Sequence, residues 1–167
     1  MAIEYEVDAS ALVRDIHELA VVMRHSLRST MTRIDEELRR SIAKNFAIYG
    51  RPMKWQPLRP GTIRARRRRG LGHNVGGDRA ILRDTDRLRL SLVSPPGAGR
   101  DQISRIGESE VIRGTNVPYA GYHQSDEPRH RLPRRAFLLL QEEDLAKIDG
   151  LVEAEFDRRL ARHQGAG

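Results

Sequence analysis

The chain has 167 residues, 38% hydrophobic and 32% charged, with no cysteine and a formal net charge of +7. One domain of modest core size fits that length; no stretch approaches the ~20 apolar residues of a membrane helix, and the first ten residues carry no signal-peptide pattern. Without cysteine there is no disulfide framework or thiolate chemistry, which suits a reducing cytoplasm.

From Ala9 to Tyr49 there is neither Gly nor Pro. Apolar residues recur at Leu12, Ile16, Leu19, Met23, Leu27, Met31, Ile34, Leu38, Ile42, Phe46 and Tyr49, always three or four apart, so one stripe keeps to one helical face. The spacing predicts a helix over 9–49, capped by Asp8 or Ser10 and ended by Gly50-Arg51-Pro52. Such a helix would be ~60 Å long. It must bend near Ser26, Ser29 and Thr30 to give a helix pair, or lay part of its stripe, notably Leu27, Met31 and Ile34, on a neighbouring subunit.

Residues 50–80 hold three Pro and six Gly and read as an extended basic loop. Trp55, between Pro52 and Pro57, is the expected anchor of that loop, buried or at an interface. Arg64, Arg66, Arg67, Arg68 and Arg69 fall within six positions; their mutual repulsion predicts a mobile run unless DNA phosphate or an acidic protein surface gathers it. Of the 30 basic residues 27 are Arg, the side chain suited to phosphate and carboxylate contacts. Only 5% of residues are aromatic, which argues against a base-stacking single-strand binder.

Beyond the loop, Leu88, Leu90 and Leu92 alternate with Arg87, Arg89 and Ser91 as in a half-buried strand, with a helical turn over Asp84 to Leu88 as the alternative. Ile103–Ile106 and Val111–Gly114 flank a short turn and predict a hairpin. Tyr119–Gln124 reads as a helical turn and Ala136–Leu140 as a central strand. The pattern Leu145, Ile148, Leu151 or Val152, Phe156, Leu160 predicts an amphipathic helix over 142–162, with 164–167 a frayed tail. The class is α+β with a small, mainly antiparallel sheet, in a single domain over 1–163.

Candidates for catalysis are thin. His17-Glu18 lacks the second His of a zinc-protease helix, and Gly70-Leu71-Gly72 follows no strand and precedes no Lys-Ser or Lys-Thr. His123, Asp126, Glu127 and His130 share a polar loop but read as solvated side chains. No catalytic residue, metal or cofactor is assigned.

Four segments together resemble the phage virion morphogenesis family, the tail completion proteins of Mu-like and related tailed phages. They are Gly50-Arg51-Pro52-Met53-Lys54-Trp55-Gln56-Pro57-Leu58; Ile81 to Leu92; Gly114-Thr115-Asn116-Val117-Pro118-Tyr119-Ala120-Gly121-Tyr122-His123-Gln124; and Leu132-Pro133-Arg134-Arg135-Ala136-Phe137-Leu138. The chain departs from the family pattern at Asp86, where the family has Gly, at Ala136, where it has Pro, and at Ser125-Asp126, where it has Gly. The resemblance implies a non-enzymatic virion component, made in the host cytoplasm and placed at the head–tail junction or tail end. It also implies a homo-oligomeric ring of sixfold-related copies touching other neck or tail proteins. In that setting Tyr119 and Phe137 are expected as core anchors, His123 as a hydrogen-bonded support for the loop after it, and Ala120, Gln124 and Arg135 as structural members of the motif. The alternative function is sequence-independent binding to the DNA backbone through residues 59–69.

Overall fold

A computed structural model describes residues 26–69, 76–127 and 132–165, together with His17 and Ala20. The fold is α+β: five helices and one two-stranded sheet among the described residues. The expected cap residues Asp8 and Ser10 and the first part of the 9–49 helix lie outside them.

Helix α1 spans Arg28–Ala47. It starts within the Ser26–Thr30 stretch that one of the two alternatives named: the Ser26 hydroxyl accepts the Arg28 amide at 3.2 Å, and the Leu27 amide donates to the Glu108 carbonyl at 3.1 Å. Its far end turns on two left-handed residues, Tyr49 (φ 58°) and Gly50 (φ 102°). A Cβ on Gly50 would stand 2.6 Å from the Met53 carbonyl oxygen and 2.7 Å from the Trp55 ring, so only glycine lets the chain fold back this tightly. The next peptide, Arg51–Pro52, is cis.

Residues 50–80 are not an extended loop throughout. Pro60–Arg69 form helix α2, with Pro60 at the first helical position, where a missing amide is tolerated. The leucine run is likewise a helix, α3 (Arg87–Val93), and not a strand. Leu88 and Leu92, four apart, are buried while Leu90 is 45% exposed, so the effective period is helical. The alternating pattern was ambiguous because three leucines at even spacing satisfy both periods over so short a run.

The predicted hairpin is present: β1 (Gln102–Ile106) pairs antiparallel with β2 (Val111–Thr115), Gln102 opposite Thr115 and Ile106 opposite Val111. Helix α4 (Ala120–Gln124) is the expected helical turn. Helix α5 (Glu142–Gly165) opens on Glu142, Glu143 and Asp144, charges that suit a helix N-terminus, and runs into the segment expected to fray.

Between α4 and α5, Ala136–Leu140 is not a central strand, so the sheet keeps two strands. Side chains take the place of a strand ladder. Gln124 Oε1 accepts the amides of Phe137 (3.1 Å) and Leu138 (3.2 Å), and its Nε2 donates to the Leu138 carbonyl at 3.1 Å. From the other side Asn45 Nδ2 donates to the carbonyls of Phe137 and Leu139, each at 3.0 Å. With its buried backbone groups satisfied this way, the segment needs no neighbouring strand.

One core gathers Ile42 and Phe46 of α1, Trp55, Ile81, Leu88 and Leu92 of α3, Val117, Ala120 and Phe137. Phe46 meets Trp55 edge-on at 5.6 Å and Phe137 at 5.9 Å between ring centroids. Around it α1 packs against α3, α5 and the hairpin. Arg113 of β2 forms a two-pronged pair with Asp35 of α1 at 2.6 and 2.7 Å, both side chains buried.

Candidate functional site

The residues that single themselves out in the sequence divide between a strapped segment and an arginine helix. In the first, Trp55 is the expected anchor: 8% exposed, it donates from Nε1 to the Ala136 carbonyl at 3.0 Å. Arg135, the residue before, is buried and reaches back to the same stretch, donating from Nε and Nη2 to the Gln56 carbonyl at 3.2 and 3.0 Å. Two segments 80 residues apart are thus stitched side chain to backbone in both directions. Phe137 is the expected core anchor at 1% exposure, and Ala120 is buried beside it.

Tyr119 is not a core anchor. It is 38% exposed and stands edge-on to the His123 ring at 6.5 Å. His123 supports the following loop in a way the sequence did not indicate: its backbone carbonyl, not its ring, accepts the Arg135 amide at 2.9 Å. The imidazole is buried with Nδ1 unpartnered. Burial, joined by the nearby Arg135 charge, lowers its pKa from 6.5 to about 4, so the ring is neutral at pH 7.

On α2 the five arginines part company. Arg64, Arg67, Arg68 and Arg69 are exposed, whereas Arg66 is 6% exposed and donates to the Ala80 carbonyl at 2.6 Å. Burial pulls the Arg66 guanidinium below its ordinary pKa against the opposing attraction of Asp84. Arg69 pairs with Asp84 at 2.7 Å and Arg67 with Asp78. The run is therefore helical and not part of an extended loop, which corrects that expectation. A helix fans the side chains about 100° apart, and the acidic groups that gather three of them belong to the chain itself.

The first-helix residues expected at a subunit contact are largely covered already. Met31 and Ile34 are each 8% exposed and Leu27 is half-buried.

Sequence reasoning missed the knot between α1 and α5. Arg51 is buried and bonds Asn45 Oδ1 (2.7 Å), the Ser41 carbonyl (3.0 Å) and Asp144 Oδ2 (2.9 Å), while Ser41 donates to Asp144 at 2.6 Å. Burial pushes the Asp144 carboxyl up, but Ser41, the Gln141 amide and Arg51 together hold it below its ordinary value. Asp144 Oδ2 accepts the Gln141 amide as a helix cap does; an acid three residues after Gln141, at the head of an apolar-periodic run, was the available signal.

Helix α5 holds a second surprise. Its buried positions are Asp144, Glu155 and Arg159, whereas Leu145 is 47% and Phe156 37% exposed. These two lie three helical turns apart on one side, and Ile148 and Val152 between them are only half-buried. Ile148, Leu151 and Val152 share the inward face with Asp144, Glu155 and Arg159, so the predicted stripe is turned towards the body while Leu145 and Phe156 stand exposed at its edge.

Fold and site together define a small α+β protein whose charged side chains fasten its irregular segments and whose last helix presents an apolar edge. Compared with protein-family models, with curated proteins and with solved structures, the chain matches none. No described helix is long and apolar enough to cross a membrane.

Proposed function

We propose that the protein is a non-enzymatic structural component of a tailed-phage virion, a tail completion or head–tail joining subunit that works as a homo-oligomeric ring. The observation that carries this reading is the backbone at Asp86. It is left-handed, with φ 58°, a conformation that glycine takes without strain, at the position where the family pattern has glycine. Further support comes from the quoted segments, which interlock through Trp55, Gln124, Arg135 and Phe137. The exposed Leu145 and Phe156 of α5 and the open edges of the two-stranded hairpin offer surface for contacts between copies. Neighbouring neck or tail proteins and, along the channel, the DNA backbone are the further partners of this proposal.

Light scattering on the size-fractionated protein, with negative-stain microscopy, tests it. Closed rings of uniform mass are the expected result. A monomer at every concentration, with DNA affinity that falls steeply with salt, would instead favour the alternative of a sequence-independent DNA binder. That alternative draws on Arg64 and Arg68, exposed on α2 and in no ion pair among the described residues.

A further inference from the structure

A cavity of about 290 Å3 opens where α2, the turn before α3 and α4 meet. Leu58, Leu82 and the Tyr119 ring form its apolar wall, and Arg66, Arg135, His123 and Asp84 its polar one. Among the described residues three buried side-chain atoms have no hydrogen-bond partner: Arg66 Nε, Asp84 Oδ1 and His123 Nδ1. All three belong to residues of this one cavity. Buried polar atoms are as a rule bonded, so a cavity whose lining residues hold all three, the Arg66–Asp84 pair at 3.4 Å among them, marks a place shaped for something polar.

The charge balance says which sign. Arg66 and Arg69 share the single carboxylate of Asp84, Arg66 Nε standing 3.4 Å from Oδ1 without bonding it. Arg135 donates to the neutral carbonyls of Gln56 and Pro57 and makes no ion pair among the described residues. Its guanidinium is disfavoured first by burial and then by the charge of Arg66. The cavity wall thus carries two guanidinium groups, each about 95% buried, and one carboxylate that is shared with Arg69 outside it, with Asp78 a more distant attraction on Arg66.

We propose that this cavity binds the carboxylate of a molecule with a short apolar stem. Arg66 and Arg135 would hold the two oxygens, the His123 Nδ1 hydrogen would serve as a further donor, and the stem would lie on Leu58, Leu82 and Tyr119. A carboxylate offers two oxygens to two separate guanidinium groups, whose other nitrogens already bond Gln56, Pro57 and Ala80. A doubly charged phosphate would meet Asp84 with twice the repulsion and leave the apolar wall without a partner. The carboxylate can come from a free organic acid or from the end of a peptide chain. The inference is independent of the assembly proposed above, since it uses only groups within one copy.

Calorimetric titration of the full chain in a chloride buffer at pH 7 provides the test. The probes are butyrate, 1-butanol, inorganic phosphate, and a short peptide ending in leucine with its carboxylate free or amidated. Saturable binding of butyrate or of the free-acid peptide is expected, with none for butanol or the amide. Butyrate binding points to a free acid, and peptide binding without it points to a protein partner; either supports the site. Asp84→Asn removes the competing charge and should tighten binding at least about threefold, a gain that a purely structural role for these residues would not produce. Thr85→Trp, from an exposed position on the rim, should weaken it at least about tenfold with the thermal unfolding midpoint unchanged, as expected of an exposed surface change. Equal binding of butanol, stronger binding of phosphate than of any carboxylate, or no binding in either the unmodified chain or Asp84→Asn would overturn the proposal.

Discussion

Asp86 and His123 show how much of this protein's behaviour is set one side chain at a time. Asp86 holds a left-handed backbone and at once pairs with Arg83 at 2.9 Å and with Arg89, its carboxyl buried yet kept below its ordinary pKa by those two arginines. Replacement by Ala or by Gly removes the carboxylate alike, but only Ala must strain to keep φ 58°. Asp86→Gly should therefore be the more stable of the two by about 1 kcal/mol in urea unfolding. Equal stabilities would mean that the turn relaxes. His123 gives a pH signature. The folded protein holds its ring neutral down to about pH 4, against an ordinary value of 6.5. The unfolded chain takes up the proton first, so this contribution to stability is complete above about pH 6.5 and drains away as the pH falls towards 4. The ring faces Arg135, Arg66, Asp84 and Tyr119 around the cavity, and between pH 7 and 5 the loss is about 2 kcal/mol. In chloride buffer His123→Gln should remove most of that difference; an unchanged one would place the titrating group elsewhere.

At the scale of elements, α2 turns a run of like charges into a two-sided helix. Its outer side is a solvated arginine surface, whereas Arg66 points inward to the Ala80 carbonyl. Substituting the whole run by Gln would therefore not leave folding untouched, as an extended loop would have allowed. Arg66→Gln alone should cost about 2 kcal/mol, the size of a buried charge-assisted hydrogen bond. Arg64→Gln and Arg68→Gln should stay within about 0.5 kcal/mol of the parent, and thermal unfolding of the three variants separates the cases. Any DNA affinity should respond in the opposite order, since only the exposed arginines can reach phosphate. The strap at 136–140 follows similar logic: Gln124 and Asn45 do for its backbone what a neighbouring strand would do, so its hydrophobic sequence alone did not make it a strand.

For the whole molecule, the arrangement of surfaces moves the expected subunit contact. Met31 is buried within the chain, so Met31→Asp should destabilise the fold and would not separate folding from assembly. The exposed apolar pair of α5, Leu145 and Phe156, does separate them. Leu145→Glu combined with Phe156→Glu should lower the mass of the particle to that of a monomer or small oligomer, with helical circular dichroism and the unfolding midpoint retained. Rings of unchanged mass would take the contact away from this pair, and a collapse of helicity would show the pair to be part of the fold.

What the sequence determined by itself was local: the helix ending at Gly50, the hairpin at 102–115, the turn at 120–124, the last helix, and Trp55 as an anchor. Each is written in a period, a turn residue or a lone aromatic among prolines, signals that act over a few residues. The tertiary structure decided which neighbour each element meets. Asn45 meets Phe137 across 92 residues and Arg51 meets Asp144 across 93. Those meetings turned an apolar run into a strap and set Asp144 of α5 in a buried knot with Ser41 and Arg51. Periodicity fixes which side chains share a face; burial and pairing energies, which exist only once distant segments are in contact, fix where that face points.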